Sequence, residues 1–114
     1  MKIDYRFKDI GGEVVKSDDR YIVKDNKTLN NLVVSSTELN PGKETSGHRH
    51  AGQEEVYFFI SGSGRMIIDG DDYREFSVEA GDVMLIPDGA FHKVRNTGQE
   101  PLYFVCVFDG KRNH

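Results

Sequence analysis

Turn-forming residues recur at short, nearly even intervals, and that spacing restricts the fold more than any other feature of the chain. Asn-Pro-Gly stands at 40–42, Ser-Gly-Ser-Gly at 61–64, Asp-Gly-Asp-Asp at 69–72 and Glu-Ala-Gly-Asp at 79–82. Pro-Asp-Gly follows at 87–89 and Asn-Thr-Gly-Gln-Glu-Pro at 96–101. Each supplies the residue types that tight turns require. Between them lie short runs rich in Val, Ile, Phe and Tyr: LVVSSTEL (32–39), EVYFFI (55–60), RMIID (65–69), YREFSV (73–78), VMLIP (83–87), FHKVRN (91–96) and LYFVCVF (102–108). No helical periodicity interrupts them. Such a series predicts an all-β sandwich or barrel. The three prolines, at 41, 87 and 101, fall at segment edges, where a missing N–H costs a ladder least.

Within YREFSV, Tyr73, Glu75 and Ser77 alternate with Arg74, Phe76 and Val78, as expected for a strand with one wetter face. EVYFFI and LYFVCVF are apolar on both faces, so each needs a second cover. A homodimer formed through a sheet face or by edge pairing is the expectation. Signals are weaker over the first 30 residues: YIVK (21–24) suits a strand, and DNKTLNN (25–31) reads as a polar loop.

Composition narrows the class. At 114 residues the chain has the size of one domain, 1–114, with residues 1–30 as an N-terminal arm and first strands. Hydrophobic residues at 37% with charged residues at 30% suit a globular chain. A net charge of -4 argues against nucleic acid as a partner, because such surfaces need clustered basic residues. No apolar run is long enough to cross a membrane, and MKIDYRFKD lacks a signal-peptide core, so a cytoplasmic location is expected. The single cysteine, Cys106, excludes an intrachain disulfide and is expected to be a buried, inert thiol.

Chemistry concentrates around the histidines. On a strand, His48 and His50 project to one face, about 7 Å apart at a rise of roughly 3.3 Å per residue, while Arg49 points away. Two imidazoles at that spacing can converge on one ion, although His-x-His alone also fits a polar turn before a strand. Glu54 and Glu55 follow, and His92 comes after the Pro-Asp-Gly turn. Residues 42–62 fit G-x5-H-x-H-x4-E-x6-G with Gly42, His48, His50, Glu55 and Gly62. Residues 81–96 fit G-x5-P-x-G-x2-H-x3-N with Gly81, Pro87, Gly89, His92 and Asn96. The 18 residues between the two patterns leave room for two short strands.

These are the two motifs of the cupin superfamily, and the chain resembles a single-domain cupin. The resemblance implies an antiparallel double-stranded β-helix, or jelly-roll barrel, with metal ligands turned inward near one mouth. It places them on His48, His50, Glu55 and His92. Glu55 takes the carboxylate position by count and shares a strand face with Tyr57 and Phe59, but the motif also tolerates x3, which keeps Glu54 as an alternative. Asn96 is expected to tie a turn. Three imidazoles and a carboxylate suit a divalent transition metal: Fe, Mn, Ni, Co, Zn or Cu. His114 is assigned no role.

Few other polar residues are placed to help. Tyr57 is positioned to donate to a substrate oxygen, though a half-buried core tyrosine is the plainer reading. Arg65, after the Ser-Gly-Ser-Gly turn, is a candidate clamp for a carboxylate or phosphate, against a solvated edge charge. Lys93 and Arg95 flank His92 on the opposite parity. The expected partner is a small oxygen-rich metabolite: a sugar, a sugar phosphate or a carboxylic acid. The resemblance implies isomerase or lyase chemistry in which the ion stabilises an enediolate and Glu54 or Tyr57 moves the proton. An Fe(II) dioxygenase and a non-catalytic metabolite-binding or sensor module are the alternatives.

Overall fold

A computed structural model describes residues 1–49 and 51–110. His50 and His114 lie outside the described residues. Among the described residues, nine antiparallel strands form two sheets: β1 (Glu13–Ser17), β2 (Tyr21–Asn26), β3 (Leu32–Leu39), β4 (Glu55–Ser61), β5 (Ser63–Asp69), β6 (Tyr73–Glu79), β7 (Val83–Ile86), β8 (Phe91–Arg95) and β9 (Leu102–Asp109). The larger sheet has the order β1-β2-β3-β9-β4-β7 and the smaller β6-β5-β8. Seven expected segments become strands β3 to β9, and YIVK becomes β2, which runs on into Asp25 and Asn26 of the expected loop. Strand β1, over EVVKS, falls within residues 1–30, where YIVK alone carries a strand signal in the sequence.

Alternation decides which side chains meet between the sheets. On β4, Glu55, Tyr57 and Phe59 are buried while Val56, Phe58 and Ile60 are partly exposed. Phe59, Leu39, Met66, Leu102, Val94 and Val105 are almost fully buried, with all but Val105 in one continuous cluster. Each such side chain contributes about 1.5–3 kcal/mol relative to exposure.

The doubly apolar strands β4 and β9 find part of their second cover in the chain's own N-terminus. Phe7 packs on Phe58 with ring centroids 6.2 Å apart, and the Tyr103 hydroxyl donates to the Phe7 carbonyl. Ile10 is buried, and Asn26 Nδ2 donates to its carbonyl over 2.6 Å. Lys24 Nζ, also on the outer side of β2, pairs with Asp9 at 3.0 Å.

Turn chemistry fixes the connections. Asn96, 1% exposed, donates from Nδ2 to the carbonyls of Leu39 and Glu100 and accepts from the Gly98 amide, each over 2.9 Å. It ties the 96–101 turn to β3, the role expected for it. Gly62 joins β4 to β5 at φ 87°, and a Cβ there would stand 2.5 Å from the Pro101 carbonyl oxygen. Only glycine fits that crossing.

Candidate metal centre

The segment from Gly42 to His48 runs beside β8 as an irregular extra strand. Gly42 N donates to Asn96 O, Thr45 N to Val94 O, and His48 exchanges both backbone hydrogen bonds with His92, at 3.1 and 3.0 Å. Residues paired in this way project to the same face. The two imidazoles therefore meet edge to face, with ring centroids 4.4 Å apart.

Glu55 arrives from the opposite sheet, at the start of β4, where its neighbours are Phe108 of β9 and Ile86 of β7. Its carboxylate is 2.6 Å from His92 Nε2 and 3.8 Å from His48 Nε2. Ligand atoms of His48, Glu55 and His92 all lie within 4.8 Å of one another. Glu55 and His92 are buried, whereas the His48 side chain is 38% exposed toward the mouth.

The tautomer of His92 follows from its neighbour. His92 Nδ1 lies 3.1 Å from the Ala90 carbonyl oxygen, which can only accept, so Nδ1 carries the proton. Nε2 is then the ring nitrogen turned toward the Glu55 carboxylate in the buried site. A backbone carbonyl holding the remote ring nitrogen is how metal-bound histidines are commonly oriented. Two imidazoles and a carboxylate arranged in this way fit a divalent transition metal.

Beside the triad lies a cavity of about 120 Å³ between the sheets, reaching the larger sheet's β1, β2 and β3. Tyr57 lines it, stacked on Phe104 with centroids 5.5 Å apart and edge-on to His92 at 5.7 Å. Burial, and secondarily the nearby Cys106 and Glu55, hold the Tyr57 phenol well above its usual range, so it stays protonated. Cys106 also lines the cavity, and burial, then Glu55 and Asp25, push its thiol far above the ordinary range.

The remaining sequence candidates separate. Glu54 is exposed and takes no place in the triad. Arg65 does not enter the mouth: it shares the outer parity of β5, bonding Glu75 Oε1 at 2.9 Å and Ser77 Oγ at 2.7 Å. Lys93 and Arg95 point outward as expected, both to Glu44, at 3.3 and 3.0 Å. Arg49 is exposed. The charged residues of the cavity wall escaped sequence reasoning. Lys16 and Asp25 come from β1 and the end of β2, where no motif or alternation marked them.

Comparison with known proteins agrees with this fold. The cupin domain family matches residues 35–108. Oxalate decarboxylase of Bacillus subtilis is 35% identical over 100 residues, covering 86% of this chain and 25% of that protein. The oxalate-binding protein of Thermotoga maritima is 33% identical over 69 residues, 60% of this chain and 54% of the relative. Glucose-6-phosphate isomerase of Pyrococcus horikoshii is 31% identical over 104 residues, 82% of this chain and 55% of the relative. The chain thus spans a quarter to about half of these relatives' lengths. A solved structure of the Bacillus subtilis decarboxylase matches with a TM-score of 0.76 at 29% identity, covering 84% of this chain and 27% of that one. Another structure of that enzyme, which concerns its Mn(II) centres, gives 0.78 at 28% identity, covering 90% of this chain and 29% of that one. On the family match, the fold and the shared segment, this chain belongs to the cupin family.

Proposed function

We propose that this cupin holds a divalent transition metal on His48, Glu55 and His92, with His50 as the expected fourth ligand, and acts on a small carboxylic acid. The observation that carries the reading is the meeting of two imidazoles and a buried carboxylate, from opposite sheets, beside a small cavity. At about 120 Å³ the cavity is close to the roughly 150 Å³ that accommodates benzene, which favours a two- to four-carbon acid over a sugar phosphate. The names of the relatives, two of them concerned with oxalate, support the same class. Similarity to an enzyme with Mn(II) centres makes manganese the first metal to test.

A bound ion supplies Lewis acidity to a substrate oxygen. The chain's own residues do the rest. Tyr57, kept protonated by burial, donates a hydrogen bond to substrate oxygen and does not serve as the base. Its stack with Phe104 fixes the ring and makes one wall of the cavity apolar. The reaction is of lyase or isomerase type, and the working unit is a homodimer. Exposed Val83 and Leu85 on edge strand β7 favour that assembly.

Protein loaded separately with Mn(II), Fe(II) and Zn(II) should be incubated with oxalate, malonate and short keto acids in an oxygen-electrode cell. Metal-dependent loss of an acid without net O₂ uptake is expected. Iron-dependent O₂ uptake would replace the reading with a dioxygenase, and metal-dependent binding without turnover would replace it with a binding module. Sedimentation should give about twice the 12.9 kDa chain mass; a monomer at micromolar concentration contradicts the dimer.

A further inference from the structure

The register of β1 against β2 breaks between Val14 and Lys16. Glu13 pairs with Asp25 and Val14 with Lys24, then Lys16 pairs with Val23 and Ser17 with Ile22. Val15 is therefore an extra residue, a β-bulge. Paired residues share a face, and on β2 the cavity face carries Tyr21, Val23 and Asp25. Without the bulge, Val15 and Lys16 would point to opposite sides. With it, both line the cavity.

Lys16 is the one lysine or arginine among the described residues lining that cavity. It makes no ion pair with any described residue, while the neighbouring Arg20 is held by Asp18 at 2.9 Å and bonds Ser46 at 2.7 Å. We propose that the bulge at Val15 turns Lys16 into the cavity as the clamp for the outer anionic group of a substrate whose other end lies at the His48–Glu55–His92 centre. The inference rests on the metal-site reading above and adds the residue that selects an anion. A flexible ammonium at an open edge strand suits a terminal carboxylate or phosphate, which it meets as a point charge. Asp25 lines the same wall and repels an anion that bypasses Lys16. The ligand is thus steered toward one end of β1, and uncharged molecules of the same size gain nothing from the clamp.

The test uses Mn(II)-loaded wild type, Lys16→Met and Lys16→Arg, with metal content read by elemental analysis. Binding of oxalate, of its neutral counterpart oxamide and of inorganic phosphate is read by calorimetry. Because Lys16 is exposed on an edge strand, the variants should fold and hold metal like wild type. Lys16→Met should weaken oxalate about tenfold or more and leave oxamide unchanged, and Lys16→Arg should recover most of the affinity. Loss of affinity confined to phosphate would keep the clamp and assign it to phosphate esters. Oxalate and phosphate binding unmoved by Lys16→Met overturns the clamp alone. Wild type that binds metal but neither anion also overturns it, and wild type that binds no metal overturns the site reading with it.

Discussion

Gly47 stands immediately before His48 with φ 78°, and a Cβ there would come within 2.6 Å of the Phe91 ring and 3.1 Å of Lys93 Cβ. The position needs glycine twice over, for its backbone angle and for its clearance. Gly47→Ala must shift the backbone that delivers His48 while leaving the core between the sheets intact. Metal affinity should fall by about tenfold or more, a cost typical of residues that support a ligand, with little loss of thermal stability. Competition against a chelator checks it, and wild-type affinity in Gly47→Ala contradicts the geometry. At this scale much of the site was legible. His48, Glu55 and His92 follow from motif spacing, and the parity of β4 separates buried Glu55 from exposed Glu54. Gly47 was not legible, because its requirement comes from Phe91, which is remote in sequence. Arg65 misled for a related reason: a charge after a turn is compatible with either face until its partners Glu75 and Ser77 are known.

Among the elements, the irregular strand 42–48 matters most, because it carries His48 with no named strand of its own. Glu44 anchors it to β8 through Lys93 and Arg95. Its hydrogen bond from Arg95, then that from Lys93, holds the Glu44 carboxyl below its ordinary value of 4.5. A depressed carboxylate stabilises above its unfolded value, and that contribution is lost as pH falls through the folded one. The pair is solvated, so the effect on global stability is small. Protection of the amides of residues 43–48, measured against intrinsic exchange at each pH, should therefore fall below about pH 4.5 in wild type and already be low in Glu44→Gln at pH 7. Equal exchange in the two proteins at pH 7 contradicts the tether. Strand β1 shows why other parts of the fold stayed hidden. Its bulge adds a residue that breaks period-two alternation, so Glu-Val-Val-Lys-Ser carries no strand signature in sequence although its other four residues pair with β2.

Across the whole molecule, the two motifs correspond to two walls that must face each other. Motif one supplies the irregular strand and β4, on opposite sheets; motif two supplies β7 and β8, again one to each sheet. The site is therefore a product of sheet closure, and either sheet alone presents only part of it. That architecture was legible because turn spacing, apolar segments and both motifs all point to one fold. The N-terminal cover was not. Phe7 and Ile10 are isolated apolar residues in a polar stretch, and only their contacts with the outer face of the larger sheet give them meaning.

The central claim, that closure of the two sheets builds a metal site, is tested most directly by metal stoichiometry. Wild type and the His48→Ala, His92→Ala double variant would be prepared identically, shown to be folded by circular dichroism, loaded with Mn(II), desalted and analysed for metal. The account predicts close to one ion per wild-type chain and almost none in the folded double variant. Full metal content in that variant would contradict it.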